Sequence, residues 1–431
     1  MTKVTNAWQV PRFRRVWGAG AAAGLGAEIG ELAIPVLAVV TLGASAAELS
    51  WVRAALLLPY LLLTLWLGVL VDRLPRRPLL VLADLARGVL LLAVCVLALG
   101  GWLTIPVLVA AAALIGSLTV LYALADFSFL PEVVPEGALI DANAKITATQ
   151  SVIGVAGNGV GGLLVQVLTA PVALVLNALG YLASGALIAS VRVPDSRPAR
   201  RGRSSVLAEA RAGTGHLLRH PVLRVLVAEA ALWNLGNEVL MIALVVLLLH
   251  ELALGPLVLG LVLMATGTGA FVGSLYSRRL TARFGYGRSL VASLLLGNSA
   301  PLVGVLLLQL GGWVGIALLA GTFLVSGSGI GIANSQAVSL RQLAVPGELR
   351  GRVNAGYRLV SWGALSIGAI GGGVLTTATG PLTAALVGTA AMALATVPVA
   401  LSRVRSLVHV EDVVPVPAAA PGSPAATPGR Q

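Results

Sequence analysis

Apolar runs about as long as a membrane-spanning helix follow one another along most of the chain, and short polar stretches separate them. A helix of about 20 apolar residues crosses the hydrocarbon core of a bilayer. Each run therefore predicts one crossing helix, and the pattern as a whole predicts twelve. The predicted spans are 16–42, 50–71, 79–99, 103–125, 147–168, 171–191, 222–249, 256–276, 289–309, 313–339, 358–378 and 382–401.

The polar loops alternate in charge, and this alternation predicts the orientation of the chain. Lys and Arg collect in every second loop, while the loops at 43–50, 100–102, 169–170, 250–255, 311–312 and 379–380 contain none. Basic loops stay on the cytoplasmic side of a membrane. We therefore expect a multi-pass membrane protein with both termini in the cytoplasm. The bias toward Arg over Lys and toward Ala, Leu and Gly is typical of a GC-rich bacterium, so we expect the membrane to be a bacterial plasma membrane.

The composition supports a membrane protein and excludes several other classes. Only 11% of the residues are charged and 57% are hydrophobic, whereas soluble domains have about 25% charged residues. The formal charge of +12 does not predict nucleic-acid binding, because the basic residues apart from Arg53 and Arg87 lie in alternate loops. No phosphate-binding loop, metal-ligand cluster or catalytic cluster is visible, so we expect no enzyme activity, cofactor or metal.

The second half of the chain repeats the first. The matched positions are Glu28 with Glu238, Gly68 with Gly273, Asp72 with Ser277, Asn143 with Asn354, and Gly157, Gly161 and Gly162 with Gly368, Gly372 and Gly373. This repeat predicts two six-helix bundles with a substrate path between them. The expected units are an N-terminal bundle at 1–191, a cytoplasmic linker at 192–221, a C-terminal bundle at 222–405 and a disordered tail at 406–431.

One loop carries a recognisable signature. Between the second and third spans the chain reads Gly68-xxx-Asp72-Arg73-xx-Arg76-Arg77, which resembles motif A of the major facilitator superfamily. An ordinary basic loop is the simpler interpretation of the same residues. The chain is similar to the branch of enterobactin exporters and macrolide-efflux-like permeases. The similarity rests on the repeat and on the fragments 130–135, 339–342 and 346–354.

The resemblance implies a fold and a function. The fold would be all-α, with twelve transmembrane helices in two pseudo-symmetric bundles. The function would be secondary active export of an antibiotic, drug or siderophore in exchange for protons, by a monomer in the lipid bilayer. Two features depart from the family pattern: Asn158 stands where the helix-5 signature has proline, and 105–125 lacks the arginine of many proton-coupled exporters.

Three acidic residues lie inside predicted spans and are the candidates for proton coupling. Glu28 and Glu31 are three residues apart on one face of the first helix, and Glu238 lies at the centre of the seventh. Ionisable groups at this depth are costly and mark ion or substrate pathways. The alternative is a structural role, in which the acids are neutral or are partners of Asn234 and Asn237.

The gating candidates surround the signature loop. In related transporters the acid of this motif and its arginines hold the cytoplasmic side closed, and we expect Asp84 and Arg87 to form an internal ion pair beside them. This set comprises Gly68, Asp72, Arg73, Arg76, Arg77, Asp84 and Arg87. Arg53 is expected to extend toward the lipid headgroups, with binding of an anionic cargo as the alternative.

Other polar or aromatic residues of the spans are candidates for lining a cavity, although membrane helices use the same types in packing. They are Asn158, Asn177, Tyr181, Trp233, Asn234, Asn237, Asn334 and Gln336. The competing functions are a nutrient importer of the same fold and a membrane sensor that transports nothing. The signature loop and the buried acids argue against the sensor.

Overall fold

The computed structural model describes residues 6–192, 206–345 and 349–408. Residues 193–205 of the predicted linker and 409–431 of the predicted tail lie outside this part of the chain. The helices are α1 (Pro11–Val36), α2 (Ala46–Leu62), α3 (Thr64–Arg73), α4 (Arg76–Leu99), α5 (Ile105–Val133), α6 (Leu139–Leu168), α7 (Ala170–Ala189), α8 (Val206–Arg219), α9 (Pro221–Val246), α10 (Pro256–Phe284), α11 (Tyr286–Leu308), α12 (Gly312–Ala344), α13 (Arg350–Thr379) and α14 (Pro381–Ala400).

Among the described residues, eleven helices are long and apolar enough to cross a membrane. The remaining predicted crossing, 50–71, corresponds to α2 and α3, which are separated by one non-helical residue, Leu63. Helical hydrogen bonding continues through this point, because the Leu63 N–H donates to the Pro59 carbonyl at 2.8 Å and the Leu67 N–H donates to Leu63 at 2.8 Å. The two segments together therefore supply the twelfth crossing, with a local bend one turn after a proline.

The repeat in the sequence is also a repeat in the structure. Both α1 and α9 begin with proline at the first helical position, and both continue into a π-helical turn, at Leu37–Thr41 and Leu247–Glu251. Proline suits the first position because its missing N–H would have no partner there.

Matching glycines allow equivalent helices to pack closely in each half. A Cβ at Gly161 would lie 3.3 Å from the Cα of Ile29, and one at Gly372 would lie 2.9 Å from the Cα of Val239. Each glycine therefore lets the backbone of the first helix of its half approach that of the fifth. These repeated contacts are the physical basis of two pseudo-symmetric six-helix bundles, α1–α7 and α9–α14.

Two ends of the molecule can be distinguished. We call the end with α8 and the described chain ends the linker face, and the end with loops 42–45 and 252–255 the distal face. The bundles meet along two seams, α2 against α13 and α6 against α10. A Cβ at Gly373 would lie 2.2 Å from the Cβ of Ser50, and one at Gly162 would lie 3.0 Å from the Cα of Gly260. Both contacts lie in the distal half, where the bundles are held together.

The second part of the predicted linker forms α8, which packs against α13. Leu217 of α8 is fully buried, and a Cβ at Gly213 would lie 2.2 Å from the carbonyl oxygen of Arg352. The linker helix is thus docked onto the C-terminal bundle at the linker face.

Two glycines of α12 provide a test of this packing. A Cβ at Gly329 would lie 2.4 Å from the Ser293 carbonyl oxygen, whereas a Cβ at Gly321 would meet nothing within 4 Å. We expect Gly329→Ala to force α11 and α12 apart and to lower the free energy of unfolding by about 1–3 kcal/mol. Gly321→Ala should leave the protein as stable as the wild type or slightly more stable. Thermal unfolding in detergent checks this, and equal melting temperatures for the two variants would contradict the packing described.

Candidate functional site

Arg53 links the two bundles through a network of ion pairs. Its Nη2 lies 2.7 Å from Glu238 Oε1 and its Nε lies 3.3 Å from Glu238 Oε2, while its Nη1 lies 2.6 Å from Glu31 Oε1. Arg53 and Glu31 belong to the N-terminal bundle and Glu238 to the C-terminal bundle. The expectation that Arg53 extends to the headgroups is therefore wrong: the residue is only 8% exposed, because its guanidinium faces two carboxylates inside the seam.

The two carboxylates of this network differ in exposure. Glu238 is 3% exposed, and it accepts both hydrogen bonds of a bidentate pair with the guanidinium. The side chain of Glu31 is 54% exposed. A small cavity of about 40 Å³ lies beside them, lined by apolar side chains that include Leu32 and Met241. The network thus has one buried carboxylate, Glu238, and one exposed carboxylate, Glu31.

Glu28 lies outside this network and has a different partner. The Asn158 amide donates to Glu28 Oε2 at 3.0 Å. Gly157 makes room for the acid, since a Cβ there would lie 2.5 Å from the Cβ of Glu28. At the matching glycine, Gly368, a Cβ would lie 3.1 Å from the Cβ of Glu238. Asn158, the residue that replaces the expected proline, therefore supplies the hydrogen bond that a half-buried carboxyl needs.

Asn234 and Asn237 were the alternative partners expected for these acids, and Asn234 bonds to the backbone of another helix instead. The Asn234 amide donates to the Ser361 carbonyl at 2.6 Å, which joins α9 to α13. Asn237 is half-buried on α9, and Asn334 is exposed on α12. Trp233 has its Nε1 buried, with no acceptor among the described residues.

A second buried charge pair lies wholly within the N-terminal bundle. Arg87 forms an ion pair with Asp84, which also accepts a hydrogen bond from Ser184 Oγ at 2.6 Å. The Arg87 guanidinium lies 4.7 Å from the ring centre of Tyr122 and 4.1 Å from that of Tyr181. These contacts join α4, α5 and α7, so the pair stabilises one bundle internally.

A cavity of about 220 Å³ adjoins this pair and opens toward α1 and α6. Tyr181 and Arg87 line it together with Trp17, Asp126 and Gln150. Tyr181 therefore lines a cavity within the N-terminal bundle, and the role of the cavity-lining candidates in a substrate path stays a prediction.

Two other candidates pack between helices. Asn177 is buried against Gly26 and Gly30 of α1. Gln336 donates to Thr281 Oγ1 at 2.7 Å and to Ser289 Oγ at 2.9 Å. Both therefore serve helix packing, which was the structural alternative for this residue class.

The signature loop is anchored within its own bundle at the linker face. Arg76 forms an ion pair with Glu132 at the end of α5, and Arg77 donates to the carbonyls of Ile188 and Ala189 at the end of α7. Cations suit these positions because helix C-terminal carbonyls carry partial negative charge.

The remaining residues of the signature show fewer contacts. Arg73 is exposed. A Cβ at Gly68 would meet nothing within 4 Å. The Asp72 side chain lies outside the described part of the structure. The gating role of these residues therefore stays a prediction.

Sequence reasoning missed three ionisable residues inside the helices. Glu229 of α9 accepts from the Asn298 amide at 3.1 Å, Asp126 lines the 220 Å³ cavity, and Arg358 lies eight residues into α13. The available signal was the same for all three, a charge within or beside an apolar run.

The comparisons with known proteins agree with this architecture. The profile of a family described as transmembrane secretion effector matches residues 6–421. An uncharacterized MFS-type transporter, y4rN of Sinorhizobium fredii, is 27% identical over 232 residues, which cover 53% of this chain and 57% of that relative. The chain thus aligns with little more than half the length of this curated relative.

Solved structures show a similar fold at low identity. A bacterial homologue of the iron transporter ferroportin, in an inward-facing state, is 19% identical with a TM-score of 0.73, covering 90% of this chain and 98% of that one. A D-xylose-proton symporter is 13% identical with a TM-score of 0.67, covering 94% and 99%. At such identities the likeness concerns the fold alone.

Replacing both ends of the cross-bundle pair tests the network. Arg53→Met leaves the Glu238 carboxylate buried without its cation, which should cost about 3–5 kcal/mol of stability. The double variant Arg53→Met/Glu238→Leu should recover most of that loss, because no buried charge remains unpaired. Melting temperatures in detergent measure both effects. Glu48→Gln, which alters an acid of α2 that caps its own helix, is the control. A double variant that loses as much stability as Arg53→Met and Glu238→Leu lose separately, added together, would contradict the pairing.

Proposed function

Because this chain belongs to the transmembrane secretion effector family of the major facilitator superfamily, we propose that it exports a small amphipathic molecule in exchange for protons. Transport proceeds by alternating access, with the substrate path between the two bundles. In this proposal the linker face is cytoplasmic, because the basic loops lie at that end.

The observation that carries the proposal is the Arg53 network across the seam. An exporter must open its distal half to release cargo, and opening separates α2 from α9. The Arg53–Glu238 pair must then break once in every cycle. A bidentate pair in a dry seam resists separation as long as both groups remain charged.

Protonation supplies the means of breaking and reforming the pair. In the open state, Glu238 binds a proton from the distal side and becomes neutral. When the seam closes, the pair with Arg53 can form only after that proton has left the carboxyl. The exposed carboxylate of Glu31 accepts it and passes it to water between the bundles. Proton entry from the distal side and proton release toward the linker face are thereby tied to one conformational change.

Glu28 and Asn158 provide a second acid–amide pair on the same helix as Glu31. A carboxylate can only accept hydrogen bonds, whereas a protonated carboxyl also carries an O–H donor. Binding of a proton to Glu28 would therefore allow its hydrogen bond with Asn158 to change direction. In the proposal Glu28 responds to substrate in the path and Glu31 to the state of the seam.

An importer is the alternative, and one observation favours it. The solved structures with this fold include a proton symporter for D-xylose and a nucleoside transporter. The cross-bundle network would serve proton coupling in either direction. The family description, which refers to secretion, favours export.

Glutamine substitutions test the coupling. Everted vesicles from a bacterial strain without its own pumps are given a compound whose toxicity the wild-type chain either lowers or raises, and a pH-sensitive dye reports proton efflux. We expect Glu238→Gln to reduce exchange by at least about tenfold, since breaking the pair no longer depends on a proton. Glu31→Gln and Glu28→Gln should reduce it to a smaller extent.

Glu251→Gln, at an exposed position near the end of α9, is the matched control. Undiminished exchange in all three test variants would contradict the coupling role. Dissipation of the gradient only when the compound is preloaded inside the vesicles would identify an importer.

The signature loop has its own test. Asp72→Asn should abolish most transport while leaving equilibrium binding of the same compound nearly intact, because a gate residue acts on the conformational step. Asp141→Asn, which removes an acid paired with Lys145 at the same face, is the control and should affect neither quantity. Loss of binding in Asp72→Asn would contradict the gating role.

A further inference from the structure

Arg358 lies inside a crossing helix, at the seam between the bundles. It is half-buried, eight residues from the start of α13, and its guanidinium carbon lies 4.3 Å from the ring centre of Trp362. The Trp362 ring packs edge-to-face on Tyr60 of α2, with 4.7 Å between ring centres. The cation and two aromatic rings therefore form a cluster to which both bundles contribute.

Arg358 differs from the arginines that form ion pairs in the N-terminal bundle. Arg53, Arg76 and Arg87 each form an ion pair with a carboxylate, whereas Arg358 has no such pair within the described part of the chain. A charge at this position is costly in a membrane unless it meets a partner or water.

Two other ionisable residues of the C-terminal bundle, Arg341 and Glu229, have partners of their own. Arg341 of α12 lies 3.8 Å from the ring centre of Tyr357, the residue preceding Arg358. A second cation therefore stacks on the same stretch of α13. The acid of α9 in this half, Glu229, accepts a hydrogen bond from Asn298 and forms no ion pair among the described residues.

The geometry leaves donors available. No hydrogen bond from the Arg358 guanidinium to another described residue accompanies its contact with Trp362, and its N–H groups point outward in the guanidinium plane. Those N–H groups can bind two oxygens of a carboxylate, sulfonate or phosphate side by side. Trp362 and Tyr60 add aromatic surface beside the charge, on which an apolar or aromatic part of a ligand can pack.

We propose that Arg358, Trp362 and Tyr60 form the binding site for the anionic end of the transported molecule, which would make the cargo an amphipathic anion. This inference rests on the proposed transport function and specifies its substrate class. Tyr60 lies seven residues after Arg53 on α2, and residues at this spacing share a helix face. A ligand between Arg358 and Tyr60 therefore lies on the helix face that carries the seam network, two turns away.

A pair of probes that differ only in charge tests the proposal. The full-length protein is placed in phosphatidylcholine nanodiscs and titrated with 5-dimethylaminonaphthalene-1-sulfonate or with its neutral sulfonamide. Energy transfer from tryptophan to the naphthalene ring reports saturable binding. We expect the wild type to bind the sulfonate more tightly than the sulfonamide. Arg358→Gln should weaken sulfonate binding by about tenfold or more and leave sulfonamide binding unchanged.

Two further variants control for charge and folding. Arg283→Gln removes an arginine that stacks on Phe284 at the linker face of the same bundle, and it should retain the preference for the sulfonate. Arg358→Lys keeps the charge without the planar fork, and it should retain part of the preference. Melting temperatures establish that each variant is folded.

Three results would overturn the proposal. The first is a wild type without preference for the sulfonate, and the second is an Arg358→Gln variant that keeps the preference. In the third, Arg358→Gln binds the sulfonate with unchanged affinity but is no longer stabilised by phosphatidylglycerol, which would mean that Arg358 binds a lipid headgroup. Because binding is measured at equilibrium without a proton gradient, it does not depend on the coupling proposal, whose failure would appear separately as undiminished exchange in the glutamine variants.

Discussion

The cross-bundle pairing of Arg53 with Glu238 is the interaction on which the proposed mechanism depends. Two charges are removed from water in a seam between helices, and such a pair persists only while each has its partner at close range. The bidentate geometry gives the seam a defined closed position. Glu31 holds the third corner of the network and its side chain remains exposed. In the proposed mechanism the network therefore serves both as the latch of the distal half and as part of the proton route.

Close helix packing makes this network possible. Glycines at matching positions of α6 and α13 let the first helix of each bundle approach, and they place Glu28 and Glu238 over a backbone without a side chain. Duplication supplied two equivalent carboxyl positions, and the halves then diverged in their partners. Glu28 is bonded to the amide of Asn158, whereas Glu238 is bonded to an arginine of the other bundle. In the proposed mechanism this asymmetry lets the two acids bind and release protons at different stages of the cycle.

Much of the fold was predictable because it depends on properties that a single sequence displays. The length of the apolar runs predicted the crossings. The match of Gly157 and Gly161 with Gly368 and Gly372 was part of the pattern that predicted the repeat. The break at Leu63 could not be foreseen, since the proline before it is compatible with a continuous span. The site was less predictable. The position of a residue within an apolar run gives its depth in the membrane, but the partner that its side chain meets depends on how the helices and bundles are rotated. Arg53 was therefore assigned to the headgroups, although the opposite bundle supplies it with an acid, and the role of Asn158 became visible only beside Glu28.

The most direct measurement is the distance between the distal ends of the two bundles as the network is protonated or removed. Spin labels at Thr41 and Glu251, exposed positions in the equivalent π-helical turns, would be introduced in a Cys95→Ala background and followed by pulsed electron–electron double resonance. We predict one short distance between the labels for the wild type at alkaline pH. On acidification, or in Glu238→Gln, we predict a second population with a longer distance. Identical distance distributions at both pH values and in the variant would show that the Arg53–Glu238 pair does not hold the distal half closed.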